Sequence, residues 1–152
     1  MFRKFKEDGI LPQSQTKNSA GYDVYANEDV TIFAGQTKIV PLGIALDSGC
    51  GSIKGYFWGL YLRSSYGAKG LVLPNGVGII DMDYQDEIKQ IIQNPYTGNE
   101  VKDREPFVIK KGDRVGQLIL QQHCGFKFLN NSYRKIDTDR NGGIGSTSKW
   151  HK

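Results

Sequence analysis

Asn75-Gly-Val-Gly-Ile-Ile-Asp-Met-Asp-Tyr84 joins a glycine-rich turn to a β-branched run that ends in two acids and an aromatic. Gly70–Leu73 and Val77–Ile80 flank the punctuation Pro74-Asn75-Gly76, a pattern that predicts two short strands joined as a hairpin. Side chains alternate between faces along a strand, so Asp81 and Asp83 are expected on the same one. Paired carboxylates can activate a water, hold a divalent cation or sit inertly on a wet face. The glycines leave backbone N–H and C=O groups open to a flat ligand such as a base. Tyr84 adds a surface on which such a ligand could stack.

The same punctuation continues in both directions. Nineteen glycines divide the 152-residue chain into short runs. Residues 37–46 (TKIVPLGIAL) form a β segment interrupted at Pro41 and Gly43, and 54–62 (KGYFWGLYL) is aromatic and strand-like. Residues 87–93, 106–110 and 115–121 are further strands, the last following a turn at Lys111-Gly112-Asp113. These runs favour β-branched and aromatic residues. No stretch carries a capped 3.6-residue period. One short helix is expected near Ser64-Ser65, whose hydroxyls suit an N-cap. Many short strands separated by Gly/Pro turns predict an all-β sandwich or jelly roll.

The length fits a single domain, with residues 1–129 as its core. From Asn130 the chain turns polar (NNSYRKIDTDRNGGIGSTSKWHK), too poor in apolar residues for a core of its own. Residues 130–152 read either as a frayed tail or as a flexible C-terminal arm that orders over a ligand. Backbone amides in its Gly142-Gly-Ile-Gly-Ser-Thr147 cluster can wrap phosphate oxygens.

Hydrophobic residues make up 38% and charged residues 24%, an ordinary soluble composition slightly poor in apolar residues. That suits a sandwich with a wet face, or a subunit sharing its core with copies of itself. A net charge of +4 suits anionic ligands such as nucleotides or serves solubility alone. No long basic run exists, so no nucleic-acid partner is expected. Cys50 and Cys124 lack CxxC or Cys/His ligand spacing and read as reduced thiols of a cytoplasmic protein. The first residues have no apolar h-region of a signal peptide, and no segment is long and apolar enough to be expected in a membrane.

Other constellations are ambiguous one at a time. Arg63-Ser64-Ser65 follows an apolar strand, and an arginine with two hydroxyls there suits either an anion or an ordinary cap. Lys111-Gly-Asp-Arg-Val-Gly-Gln117 is a turn entering a strand. His123 and His151 have no Ser, Cys or carboxylate in a catalytic pattern, which argues against a hydrolase triad. The P-loop pattern GxxxxGK[ST] is absent.

Taken in order, Ala20-Gly-Tyr-Asp-Val-Tyr-Ala26, Arg63-Ser-Ser65, Asn75–Tyr84, Gly112-Asp-Arg-Val-Gly-Gln-Leu-Ile119 and Gly142-Gly-Ile-Gly-Ser-Thr147 resemble the motifs of the dUTPase family. They keep the family's order and nearly its spacings, across residues 20–147. The resemblance implies an all-β jelly roll that assembles as a homotrimer, with active sites shared between subunits and closed by the C-terminal arm. It implies hydrolysis of dUTP to dUMP and pyrophosphate by water attack on the α-phosphorus, which limits uracil incorporation into DNA and supplies dUMP for dTTP synthesis. Asp81 matches the general base, and Asp23 the carboxylate that helps hold hydrated Mg2+ through water. Ser64 matches the hydroxyl at the α,β bridge, with Arg63 and Ser65 beside it. Gln117 matches the glutamine on phosphate oxygens. Arg140, Gly143, Ile144, Gly145, Ser146 and Thr147 match the arm's contacts to substrate. Asn75, Gly76, Val77, Gly78 and Ile80 would read uracil through their main chain, and Tyr84 would pack on the sugar and exclude a 2′-hydroxyl.

The match has departures. Ile144 stands where the family usually has an aromatic that stacks on the base, so either Trp150 substitutes or the lid is looser. Arg140 is one residue closer to the glycine pair than usual. Asp86 replaces a usual glycine, and the segment after Arg63-Ser-Ser65 is about one residue short. These changes lead to an expectation of weaker substrate affinity than is typical. Two alternatives remain at this point: a dCTP deaminase or bifunctional relative of the same fold, and a non-catalytic nucleotide-binding module.

Overall fold

The computed structural model describes residues 1–95 and 105–125. Its strands are β1 (Phe2–Lys4), β2 (Tyr22–Tyr25), β3 (Val30–Ile32), β4 (Thr37–Pro41), β5 (Ile44–Leu46), β6 (Tyr56–Leu62), β7 (Gly78–Asp81), β8 (Lys89–Gln93), β9 (Phe107–Ile109) and β10 (Arg114–Gln122). The helices among the described residues are a single turn, α1 (Ser64–Gly67), and a 3-10 turn at Ser48–Ser52. The fold is all-β, as the short alternating runs require.

The strands form a four-stranded sheet in the order β2-β10-β6-β7 and three two-stranded ladders, β1-β5, β3-β9 and β4-β8. Every ladder is antiparallel. The inner face of the large sheet supplies Val24, Trp58, Leu60, Ile80 and Leu118 to one core, where Ile32, Val40, Ile92 and Ile109 join them from the small ladders. Removing such side chains from water, at about 25 cal/mol per Å2 of apolar area, is the term that holds these short ladders together.

The break expected within 37–46 falls between β4 and β5, where Gly43 takes a positive φ of 67°. Two other expectations are corrected. Gly70–Leu73 is not the partner of β7. Val72 makes an isolated bridge to Gln93, while β7 pairs with β6. The turn itself is present, with the Gly76 N–H donating to the Leu73 carbonyl at 2.9 Å. The apolar residues on each side simply find different partners, because Ile80 is drawn into the core opposite Trp58. The serine hydroxyls do not cap α1 either: its N-cap is Arg63 and makes no side-chain cap bond.

On β10, the register with β2 shifts between Arg114 and Gly116. This bulge puts Val115 and Gly116 both inward and re-aims the residues that follow, as bulges near functional sites do. A Cβ built on Gly116 would lie 2.5 Å from Gln90 Oε1 and 2.8 Å from the Tyr61 carbonyl oxygen. Since Gln90 is fully buried, Gly116→Ala is expected to lose about 1–3 kcal/mol by overpacking. Chemical denaturation checks this, and an unchanged midpoint would refute the close packing.

The turn before β10 is tied down by Asp29, whose carboxylate accepts from Lys110 Nζ and from the Lys111 N–H, each at 2.8 Å. The Lys110 bond first, and the Lys111 backbone second, hold the Asp29 carboxyl below its ordinary range. A depressed carboxylate stabilises the fold above its unfolded pKa, and that contribution disappears as pH falls through the folded one. Asp29→Asn should therefore lose a small part of the acid-side dependence of stability, seen by comparing melting curves between pH 5 and 2.

Candidate active site

Asp23 on β2 lies opposite Gln117 on β10, which lies opposite Tyr61 on β6. Asp23 is only 8% exposed, and a buried charge requires partners. It has two: Arg114 Nη1 at 3.2 Å from Oδ2 and Arg63 Nε at 3.7 Å from Oδ1. Arg63 also reaches the Arg114 carbonyl with Nη1 at 3.4 Å. One carboxylate between two guanidiniums leaves the trio with a net positive charge and with unused N–H donors. These residues, with Ser64, Gln117, Gln15 and Ser19, line a cavity of about 380 Å3. A Cβ on Gly21 would stand 2.9 Å from Gln117 Oε1, so the glycine of Ala20-Gly-Tyr-Asp23 gives the glutamine its place.

Asp81 ends β7, opposite Phe57 and exposed. Asp83 lies beyond the strand, yet Met82 between them is buried and both acids are exposed, so the expected shared face holds through the turn. Asp81 and Asp83 line a second cavity, of about 410 Å3, with Lys54, Tyr56 and His123. Tyr84 follows with its ring part-exposed, its N–H donating to the Asp81 carbonyl at 3.0 Å and its hydroxyl to the Glu87 carbonyl at 3.1 Å. Asp86 spends one oxygen on the Glu87 N–H at 2.7 Å, so its charge is partly committed to its own turn. In the turn segment the Val77 N–H donates to the Asn75 carbonyl at 2.8 Å. Gly78 begins β7, an edge strand of the sheet, so half of its backbone groups have no ladder partner. Ile80 is buried and can offer a ligand only its main chain.

The two groups of residues are far apart on one sheet face. Asp81 pairs with Phe57 on β6, and Gln117 with Tyr61 on the other side of β6. Two strand spacings and four residues of rise separate their Cα atoms by roughly 17 Å. The Tyr61 ring lies between, over Gly59, whose Cβ would be 2.7 Å from Tyr61 Cε2. The chain thus brings Asp23, Arg63, Ser64 and Gln117 together and leaves Asp81, Asn75–Ile80 and Tyr84 elsewhere. Ser65 falls outside the 380 Å3 cavity and lines a neighbouring one. Arg140, Gly143, Ile144, Gly145, Ser146, Thr147 and Trp150 lie outside the described residues.

Arg114 lies within Gly112–Ile119 but gains its place only by reaching Asp23 on another strand, and no sequence pattern marks Gln15 or Ser19. His123 has no carboxylate near it in sequence, but the fold puts Asp81 and Asp83 on the same cavity wall. Both cysteines are free, Cys50 buried and Cys124 exposed. Burial, with the Asp113 charge second, raises the Tyr66 phenol above its usual value, while Arg63 opposes. Among the described residues no group of three or more His, Cys, Asp or Glu could hold a metal ion, and no helix is long and apolar enough to cross a membrane. Since both Asp23 oxygens face arginines, these residues do not form a site for a bare divalent cation.

Fold and cavity together define a jelly-roll protein with a pocket lined by two arginines and one carboxylate, net positive in charge. The family model described as dUTPase matches residues 7–148. The chain is 36% identical over 151 residues to the deoxyuridine 5'-triphosphate nucleotidohydrolase of Lactococcus lactis, covering 95% of this chain and 92% of that one. The crystal structure of the Streptococcus mutans dUTPase superposes with a TM-score of 0.69 at 28% identity, covering 84% of this chain and 98% of that one. A mutant dUTPase from phage phi11 of S. aureus, described with a structural Mg(II) ion, gives 0.69 at 19% identity, covering 91% of this chain and 97% of that one. The chain belongs to the dUTPase family. It is a dUTP diphosphatase, and the deaminase and non-catalytic alternatives fall away.

Proposed function

We propose that dUTP is hydrolysed between chains, with Asp81 of one subunit facing the Asp23-Arg63-Arg114 cavity of another. The observation that carries this is the separation of roughly 17 Å across the sheet, because a base and the phosphate it serves must lie within a few ångströms. A second feature supports it. The face that bears both groups also carries Phe57, Ile79 and Ile119, and Ile79 is 58% exposed. An apolar sheet face of this kind is suited to cover by copies of the same chain, and three copies related by a rotation axis give three equivalent sites.

In this reading Asp81 takes a proton from the attacking water, the water oxygen bonds to the α-phosphorus, and pyrophosphate leaves. Arg63, Arg114, Ser64 and Gln117 hold the phosphates, and their preset positions stabilise the charge that develops. The free edge of β7 at Gly78 and the backbone of Asn75–Val77 complement O4 and N3–H of uracil. Cytosine presents the reverse pattern, and each mismatched buried pair costs about 1–3 kcal/mol. Tyr84, anchored through its hydroxyl, packs its ring on the deoxyribose. The arm, residues 130–152, closes from a further subunit through Arg140, Gly143–Gly145, Ser146 and Thr147. Magnesium, which dUTPases generally use, would enter on the triphosphate and keep its water shell. Asp23 then acts first as the anchor of two arginines, and any contact to the ion is through water.

Pyrophosphate release measured across dUTP, UTP, dTTP and dCTP tests the reading. Turnover of dUTP should exceed that of each competitor by at least about a hundredfold. Comparable turnover of UTP would refute the role given to Tyr84, and ammonia released from dCTP would restore the deaminase alternative.

A further inference from the structure

We propose that a second anion subsite lies behind the arginine pair and receives pyrophosphate as it clears the phosphate cavity; this rests on the hydrolytic reading above. A cavity of about 460 Å3 adjoins the first and shares Gln15, Arg63 and Arg114 with it. Its remaining walls include Ser65, Tyr25 and Lys69. Residues 63–65 therefore form a partition, with Arg63 on both sides, Ser64 in the first cavity and Ser65 in the second.

The charges favour movement in one direction. The first cavity has two guanidiniums and the Asp23 carboxylate. The second has the same two guanidiniums, the Lys69 ammonium and the Asp113 carboxylate, one oxygen of which is occupied by the Lys110 N–H at 2.9 Å. Lys69 is exposed, forms no ion pair among the described residues, and rests its ammonium 5.4 Å from the centroid of the Phe107 ring. Hydrolysis changes the anion to match. When the water oxygen bonds to the α-phosphorus, the electron pair of the broken P–O bond stays with pyrophosphate and the water proton goes to Asp81. The departing group thereby carries one more negative charge than it did as part of the phosphoanhydride. The more positive cavity favours it, while dUMP stays bound through its base and sugar. Arg63 and Arg114 line both cavities, so the anion keeps its contact with them as it crosses.

Titration calorimetry of the full chain in its native assembly, with inorganic pyrophosphate and separately with dUMP, tests the subsite. Lys69→Ala should weaken pyrophosphate roughly five- to tenfold, the loss of one charge-assisted contact, and leave dUMP within about twofold. Lys38→Ala removes the same charge from β4, outside both cavities, and should leave both affinities unchanged. Pyrophosphate affinity of Lys69→Ala within twofold of the unsubstituted protein overturns the proposal, as does an equal loss in Lys38→Ala. These readouts need no turnover. If dUTP is not hydrolysed but pyrophosphate binding still depends on Lys69, the hydrolytic reading fails and the subsite stands.

Discussion

Asp81→Asn should lower kcat for dUTP by about 10²–10⁴-fold, the contribution of a positioned general base, while the affinity for a nonhydrolysable dUTP analogue stays within a few-fold. The amide keeps the size and hydrogen-bonding capacity of the side chain but cannot accept the water proton. Asp81 is exposed, at the end of an edge strand, so the substitution leaves no buried group unpaired and should not unfold the chain. Rapid-quench measurement of dUMP formation separates the chemical step from product release. Turnover equal to that of the unsubstituted protein would remove Asp81 from the mechanism and move attention to Asp83 in the same cavity.

Mixing two inactive variants should restore activity. Asp81→Asn retains the phosphate cavity, and the double variant Ser64→Ala/Gln117→Ala retains the base. If each site takes its base from one subunit and its phosphate ligands from another, random reassembly of equal amounts makes about a quarter of the sites intact in both respects. Activity should therefore rise from near zero to about a quarter of that of the unsubstituted protein. A site contained within one chain gives no recovery at any mixing ratio. The experiment thus converts the distance across the sheet into a number that can be read from product formation.

Much of the fold was legible because β-branched and aromatic runs report strands directly: residues 54–62 and 115–121 became β6 and β10 with small changes at their ends. Pairing was not legible. The turn at Pro74-Asn75-Gly76 gives no hint that Val72 goes to Gln93 and Ile80 to Trp58, since the choice is made by the core and not by the turn. β1 carries two basic residues in three and has no strand signature of its own; its ladder with β5 supplies one. In the candidate site, Asp23, Ser64 and Gln117 come from three separate motifs, and the fold gathers them on one cavity wall. Distances were not legible. Asp81 and Asp23 look like parts of one constellation along the sequence, and only the register of the three ladders that join β2, β10, β6 and β7 shows that one chain keeps them apart. Arg114 illustrates the same limit, because its importance comes from reaching a carboxylate on another strand.

The Asp23 clamp constrains how this protein can vary over generations. Because one buried carboxylate serves both Arg63 and Arg114, exchanging Asp23 alone leaves two guanidiniums facing each other without their counter-charge, whereas loss of either arginine still leaves a matched pair. A lineage that recruits this scaffold for another ligand will therefore find Asp23 the hardest of the three to change, and will diverge first at Gln15 and Ser19, which share the cavity wall but take no part in the clamp.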